Sequence, residues 1–152
     1  MIRQLTLYVL ISILFVAAGC SSTTFGNHET MEAPGESLIN TYWKLVRLDG
    51  VPVIAQENFR EAHMVLHQDA SRLAGATGCN TLMGSYQVEN EHIAFNQVAT
   101  TKRACPAPQM ETERNFLAAL KQATAWRVEG ARLVLSGDNN EPLASFEAVH
   151  LY

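Results

Sequence analysis

From residue 41 onward the sequence repeats one pattern, in which short segments rich in β-branched and aromatic residues end at Gly, Pro, Asn or Asp. Such segments are typical of antiparallel strands joined by tight turns. Residues 63–67 (HMVLH) and 72–76 (RLAGA) form one such pair around a polar turn. The pattern therefore predicts a mostly antiparallel sheet of about seven or eight short strands. Nine segments are candidates for these strands: 43–48, 51–54, 63–67, 72–76, 84–88, 92–95, 125–128, 132–135 and 143–149.

Residues 109–124 break this rhythm, because their apolar residues recur at helical spacing. Two prolines precede the segment, and we expect two acidic residues in its first turn, where they would favour the positive end of the helix dipole. A weaker helix or an irregular turn is expected at 56–62. The sequence thus predicts an α+β domain with one main helix, whose apolar stripe packs on the sheet. The stripe is Met110, Phe116, Leu117 and Leu120, the prolines are Pro106 and Pro108, and the acidic residues are Glu111 and Glu113.

The first 20 residues have the features of a lipoprotein signal. Arg3 supplies positive charge, and the apolar stretch 5–18 is shorter than the about 20 residues that span a bilayer. The stretch ends in Val-Ala-Ala-Gly before Cys20, which predicts a lipid on the Cys20 sulfur and cleavage after Gly19. An uncleaved anchor or a plain signal peptide is the alternative. Ser21 in place of Asp predicts, in a two-membrane bacterium, a lipid-anchored protein of the outer membrane whose domain faces the periplasm.

Composition separates a tether from a domain. Residues 21–37 are rich in Ser, Thr, Gly, Glu and Pro, which predicts a flexible segment, and residues 38–152 would form one domain. The chain carries a net charge of −4 and has no dense stretch of Lys and Arg. That composition argues against nucleic acid as a partner, so the expected partners are the membrane, through the lipid, and an unknown envelope protein or apolar ligand.

The predicted lipidation of Cys20 determines how many cysteines are left to form a disulfide. If Cys20 carries lipid, Cys79 and Cys105 remain, in a compartment that permits disulfides. We expect these two to pair, although two buried free thiols are the alternative. A catalytic thiol is less favoured, since neither cysteine has a His close to it in sequence and no C-x-x-C spacing is present.

No motif points to a metal or a cofactor. His63 and His67 are four residues apart, but on a strand this spacing places them about 13 Å apart, too far to share an ion. Residues 137–141 are better explained as a turn than as a calcium loop. The serines lack a G-x-S-x-G context and no glycine-rich phosphate loop occurs. We therefore expect no cofactor, no metal and no enzyme activity.

Two stretches form a more specific pattern. G-C-N-x3-G-x-Y spans residues 78–86, and T-x-x-A-C-P spans residues 101–106 just before the predicted helix. With the opening T-x-W-x-L at 41–45 and E-x-x-F-L-x-x-L at 113–120, the chain resembles the META domain family, which includes the heat-shock lipoprotein HslJ. The resemblance covers roughly 39–146. Arg103 departs from it, because many members carry Met there, and a surface-facing charge is expected instead.

The resemblance implies a curved antiparallel sheet against one helix, in envelope proteins linked to heat shock and antibiotic tolerance without an established enzymatic activity. On physical grounds, Gly75, Gly78 and Gly84 permit tight backbone paths, Asn80 can hydrogen-bond a neighbouring loop, and a Cys79–Cys105 bond would hold the two motif loops together. The motif residues either specify the fold or form a binding site. They are Trp43, Gly78, Asn80, Gly84, Tyr86, Thr101, Arg103 and Pro106.

Three functional hypotheses follow. The first is a non-enzymatic outer-membrane lipoprotein that acts in envelope stress by contacting another protein or the cell surface. The second is a carrier or pilot-type lipoprotein that binds an acyl chain in its curved sheet, which requires a pocket lined by Trp43, Tyr86, Phe95 and Trp126. The third uses Cys79 or Cys105 as a nucleophile, and a disulfide between them would remove it.

Overall fold

The structure, a computed structural model, describes residues 35–150. The predicted signal, Cys20 and residues 21–34 of the predicted tether lie outside the described residues. The described part is an α+β unit of nine strands in one sheet and one α-helix, as the sequence pattern predicts. The elements are β1 (Tyr42–Leu48), β2 (Val51–Pro52), β3 (His63–His67), β4 (Arg72–Ala76), β5 (Thr81–Glu89), β6 (His92–Thr100), α1 (Ala107–Gln122), β7 (Ala125–Glu129), β8 (Arg132–Ser136) and β9 (Pro142–Val149).

The sheet closes on itself through β1. Along one edge β1 pairs with β9, from Tyr42 opposite Val149 to Leu48 opposite Ala144. Along its other edge β1 pairs first with β3 and then with the two-residue β2. The remaining strands follow in chain order from β3 to β9, and every pairing is antiparallel. The sheet, which was expected to curve, therefore closes into a ring, and this closure removes the free edges of an open sheet.

The join between β6 and β7 is the weakest point of this ring. Only His92 and Ala125 are register partners there. Two further backbone bonds support the pair, from Ile93 N to Thr124 O at 3.0 Å and from Trp126 N to Glu91 O at 3.0 Å. The chain between these two strands is α1, which packs against β1, β6, β8 and β9. The helix thus covers the side where strand pairing is sparse.

Alternation along the strands fills the interior. In β8, Leu133 and Leu135 are fully buried between exposed or half-buried neighbours, as a half-solvated strand requires. The buried faces of the other strands meet the inner face of α1, where Phe116 lies 5.8 Å from Phe146 between ring centroids. The largest fully buried apolar side chains are Trp43, Met64, Leu66, Leu73, Leu82, Phe116, Leu120, Leu133, Leu135 and Phe146.

Two strands are several residues longer than predicted. The apolar pattern placed them at 84–88 and 92–95, whereas β5 begins at Thr81 and β6 continues to Thr100. The added part of β6 includes exposed polar residues, which hid the strand period. It also contains an irregularity in the β5–β6 register, where Gln97 has a positive φ of 51° and lies in the bulged part of β6. Conversely, β2 ends at Pro52 and the expected strand at 51–54 is shorter.

The helix begins and ends two residues earlier than predicted. Pro106 is its N-cap residue and Pro108 lies inside the first turn, where the missing N–H has no helical partner to lose. Ala123 is extended, which ends the helix at Gln122. The expected position of Glu111 and Glu113 in the first turn is therefore wrong, since both fall in the second turn. Residues 56–62 form an irregular turn.

Candidate functional site

The two motif loops meet beside the N-terminal end of α1. Residues 77–80 connect β4 to β5, and residues 101–106 connect β6 to α1. A disulfide joins Cys79 to Cys105, whose Cα atoms lie 6.0 Å apart. The pairing expected from the cysteine count is thus present. The sulfur of Met110 lies 3.8 Å from the Cys79 sulfur, so Met110 packs on the disulfide, whereas the sequence pattern assigned it to the sheet.

Asn80 bonds the second loop through its side-chain amide, as expected from its chemistry. Its Oδ1 accepts from Arg103 N at 2.7 Å and from the Thr101 hydroxyl at 2.9 Å. Its Nδ2 donates to Arg103 O at 3.2 Å and to Glu113 Oε2 at 2.9 Å. A primary amide offers two donors and two acceptor lone pairs, so these four bonds use its whole capacity. Asn80 is therefore held on all sides, and its role in the structure is to join two loops and a helix.

Glu113 is the buried charged residue of this network. Its carboxylate accepts from Asn80 and, through a short bond, from the Thr77 hydroxyl. Thr77 closes its own turn as well, since Thr77 N donates to Asn80 O at 2.9 Å and Asn80 N donates to Thr77 Oγ1 at 3.0 Å. Thr77, Asn80 and Glu113 are all buried. Burial of a carboxylate is tolerated where such donors replace water.

The other motif residues have structural surroundings. Gly78 has a positive φ of 93°, which a side chain would strain, and a Cβ on Gly84 would meet Asn96 O at 3.1 Å. Trp43 is fully buried and its Nε1 donates to Leu38 O, while the Tyr86 hydroxyl donates to His67 O. Thr101 bridges Asn80 Oδ1 to Thr81 N, Pro106 caps α1, and the Arg103 side chain is exposed, as expected.

A small cavity of about 40 Å³ lies next to this network. It is bounded by the irregular segment Val53–Ala62, by Gly78 and by the first turns of α1. Gln109, one helical turn before Glu113, lines the cavity and is 6% exposed. Its Oε1 is fully buried and has no hydrogen-bond partner within the described residues. Every other buried polar side chain of this corner is paired, so Gln109 is the exception.

A polar cluster forms one rim of the cavity. Glu61 accepts from the Tyr42 hydroxyl at 3.0 Å and pairs with Lys44 at 2.9 Å. The ring of His63 stacks on Tyr42 with centroids 4.3 Å apart, and its Nδ1 contacts Glu61 O at 3.0 Å. His63 and His67 both lie on strand β3, where residues four apart are well separated along the strand. They are therefore not close together, as two ligands on one helix face would be.

The pKa values of this cluster follow from burial and pairing. Burial, followed by the bond to Glu61, raises the pKa of Tyr42 to about 12. Burial is also the largest influence on Glu61 and raises its pKa, but the bonds from Lys44 and Tyr42 outweigh it, so the pKa lies below the usual 4.5. Burial lowers the pKa of His63 below 6.5. The cluster therefore holds neutral Tyr42, ionised Glu61 and neutral His63 near pH 7.

The aromatic pocket required by the carrier hypothesis is not formed. Trp43 and Tyr86 are buried in the filled core, with 0% and 6% of their surfaces exposed. Phe95 and Trp126 line two separate surface clefts, Phe95 with Leu117 and Trp126 with residues of β7 and β8. The interior of the closed sheet is occupied by side chains, as in other small barrels.

Sequence reasoning missed three residues of this site. Thr77 and Gln109 were not singled out, and Glu113 was assigned to the dipole at the helix start. The available signal was spacing, because Gln109, Glu113 and Phe116 share one helix face, which is buried. Two polar residues on the same face as a buried aromatic residue indicate a buried polar network. Which loop would reach them required the tertiary structure.

Two further findings concern the described residues alone. Within 35–150, no cluster of three or more His, Cys, Asp or Glu side chains is arranged to hold a metal ion. No helix in that range is long and apolar enough to cross a bilayer.

The fold and the site define a class: a small closed antiparallel sheet with one covering helix and a disulfide-linked pair of loops. The META domain family model matches residues 36–150, and the chain belongs to that family. The META domain is not known as an enzyme family. A comparison with curated proteins found no match.

Solved structures share this fold at low sequence identity. An NMR structure of a protein from Burkholderia xenovorans is 23% identical, with a TM-score of 0.60, and the match covers 75% of this chain and 85% of that one. A crystal structure of a DUF4847 family protein from Bacteroides vulgatus ATCC 8482 is 14% identical, with a TM-score of 0.51, covering 72% and 93%. A further NMR structure is 18% identical, with a TM-score of 0.56, covering 71% and 88%.

Proposed function

We propose that this protein is a non-enzymatic lipoprotein of the outer membrane that acts in envelope stress by contacting another protein or the cell surface. The observation that carries the proposal is the pairing of its motif side chains with one another. Asn80 uses all four of its amide hydrogen bonds inside the domain, and the two sulfurs of Cys79 and Cys105 are joined. With these groups paired, the motif stabilises the fold, so contacts with other molecules would be made by surface residues.

Exposed apolar side chains support a contact function. Val51 and Ile54 are 65% and 76% exposed, lie three residues apart, and Ile54 lines the cavity. Large apolar side chains at such exposure are common singly, but two of them three residues apart in sequence, one of which lines the cavity, support a contact surface. The anchor is supported by the sequence, since the small residues before Cys20 fit lipidation.

The anchor is tested by intact-mass analysis of the protein extracted from membranes of a two-membrane bacterium. We expect the mass of a chain starting at Cys20 with acyl groups attached. Cys20→Ser should lose the acyl mass and leave the membrane fraction, because one covalent lipid anchor is then missing. A chain that keeps its first 20 residues, or one without acyl mass, would refute this part of the proposal.

The contact function is tested by complementation in a strain of the source bacterium that lacks the protein. Wild type should restore survival after heat or antibiotic challenge, and Ile54→Asp should not, since a charge on this surface would weaken an apolar contact. Val88→Asp is the matched control, because Val88 is an exposed apolar residue at the far end of β5 and is 38% exposed. Equal survival with wild type and both variants would contradict the contact surface.

A further inference from the structure

The edge of β6 that faces away from β5 is paired at one end only. His92 and Ala125 are the register partners of β6 and β7. Ile93 N donates to Thr124 O on the same side. Alternate residues of a strand direct their N–H and C=O groups to the same edge, so those of Phe95 also point away from β5. In the described part of the chain no strand pairs with this edge beyond Ile93, so the edge is open from Phe95 onward.

A cleft lies between this part of β6 and the helix α1. We call it the β6 cleft; it has a volume of about 300 Å³ and is lined by Phe95, Val98, Leu117 and Lys121. Phe95 and Val98 both pack against the core, because the bulge at Gln97 adds a residue between them. A cavity of about 150 Å³ accommodates benzene, so the β6 cleft has room for two branched apolar side chains.

The charge of the β6 cleft is positive. Lys121 is the charged side chain among the described residues that line it, and no carboxylate is among them. Lys121 is exposed and forms no ion pair within the described part of the chain. An acidic group near the end of α1 would therefore be attracted to an unpaired cation.

We propose that the open edge of β6 is a docking site for an extended segment of a partner protein, which adds as a strand beside β6, places apolar side chains in the β6 cleft and directs an acidic side chain at Lys121. The unpaired backbone specifies an extended peptide, because its N–H and C=O groups match those of another strand. The edge from Phe95 to Thr100 is about 20 Å long, at about 3.4 Å per residue. This site shares no lining residue with the cavity beside Ile54, and it does not depend on the lipid anchor.

The test is an NMR titration of the isotope-labelled full chain with the capped peptide acetyl-Asp-Val-Thr-Val-Thr-Asp-amide. We expect saturable shifts of the backbone amides of Phe95, Val98 and Lys121, with a Kd of about 0.1–1 mM. The Phe95 N–H should exchange quickly with solvent in the free chain and become protected by the peptide, because it gains an acceptor. The Ala94 N–H points towards β5 and should be protected in both states.

Two methylated peptides distinguish strand addition from simple apolar binding. Every pairing in the sheet is antiparallel, and in such a pair the residue opposite Phe95 lies on the same face and directs its N–H at β6. The Val residues of the probe take such positions. N-methyl groups on both Val residues should therefore weaken binding at least about tenfold, whereas N-methyl groups on both Thr residues should change the Kd by less than about threefold. The reverse pattern would also support docking at this edge, with a parallel strand.

Two charge reversals locate the site. Lys121→Glu should weaken binding of the acidic probe about three- to tenfold at low salt, because repulsion replaces attraction. Lys102→Glu is the matched control, since Lys102 is an exposed residue of the loop before α1 and does not line the β6 cleft. It should bind as wild type does. Both side chains are exposed, so both variants should fold.

Several outcomes overturn the proposal. They are the absence of a saturable shift, equal binding of the two methylated peptides, and equal binding of the probe by wild type and Lys121→Glu. Saturation of the same amides by octanoate without binding of the probe would show an acyl ligand instead. A free chain that sediments as a dimer with a protected Phe95 N–H would show that a second copy, and not a separate partner, occupies the edge.

Discussion

The interior of the closed sheet and the corner at the motif loops are stabilised in different ways. In the interior, Phe116 and Phe146 are fully buried and pack through apolar surface that needs no partner atom. In the corner, Asn80 and Glu113 are buried through directed hydrogen bonds, and a disulfide closes the loops. The interior tolerates small shifts in position, whereas the corner requires each donor to meet its acceptor.

This difference indicates where a ligand-binding site could arise without disrupting the fold. A filled apolar interior has no room for a ligand, and a saturated polar network has no free group. At the boundary between them Gln109 lies on the buried face of α1, one helical turn before Glu113, and its Oε1 has no hydrogen-bond partner among the described residues.

Breaking the interior should have the largest effect. Phe116→Ala is expected to lower the free energy of unfolding by about 3–5 kcal/mol, because it removes buried apolar surface and leaves a cavity. Urea unfolding followed by circular dichroism measures the change. Asn115→Ala, at an exposed position of the same helix, is the control and should change stability by less than about 0.5 kcal/mol. Similar values for the two variants would contradict the assigned helix face.

Breaking the covalent link of the corner should come next. Replacing Cys79 and Cys105 together by Ala is expected to lower the free energy of unfolding by about 3–4 kcal/mol, since the unfolded chain gains the freedom of a loop whose ends are 26 residues apart. The measurement is urea unfolding with and without reductant. Wild type should respond to reductant and the double variant should not. A wild type that is insensitive to reductant would show that the disulfide is absent.

Breaking the polar network alone should cost less. Asn80→Ala is expected to destabilise by about 2–3 kcal/mol, because Glu113 and the Arg103 backbone lose their partner while they remain buried or half-buried. Arg103→Met serves as control, since the Arg103 side chain is exposed and only its backbone bonds Asn80. The control should stay within about 0.5 kcal/mol. Thermal and urea unfolding distinguish the two, and a neutral Asn80→Ala would remove the network from the account of stability.

The smallest effect should be the pH response of the cavity rim. The pKa of His63 is lower in the folded protein than 6.5, so the unfolded chain binds the proton more readily. Stability is therefore complete above pH 6.5 and decreases as the pH falls below it. Glu61, with its pKa below 4.5, adds a second decrease under pH 4.5, with the same sign.

This pH response is measured by urea midpoints between pH 8 and pH 5, a range that isolates His63 from Glu61. His63→Gln should flatten the decrease, whereas His92→Gln, at an exposed position of β6, should retain it. A wild-type midpoint that is constant over this range, or a decrease that survives in His63→Gln, would contradict the assignment.

Local sequence patterns were sufficient for much of the fold. The pair β3 and β4, the hairpin β7 and β8, and the helix follow from period and turn residues, which act over a few positions. The ends of β5 and β6 did not follow, because polar residues of β6 face solvent and the bulge near Gln97 interrupts the period.

The candidate site was predicted only in part. The cysteine pair was predicted from the cysteine count, and the contact of Asn80 with a neighbouring loop was predicted from the hydrogen-bonding capacity of its side chain. Glu113 was assigned to the wrong environment, since a helix turn shows which residues share a face but not what that face meets. Gln109 was missed for the same reason.

By itself the sequence determined an α+β domain, its turns, its pair of cysteines and its family, because each rests on neighbouring residues or on a motif. Only the tertiary structure decided that β1 closes the sheet against β9, that Glu113 meets Thr77 and Asn80, and that Gln109 Oε1 is left without a donor. These contacts join residues far apart in the chain. Their formation depends on how the whole core packs, and the local periodicity of the sequence does not show this packing.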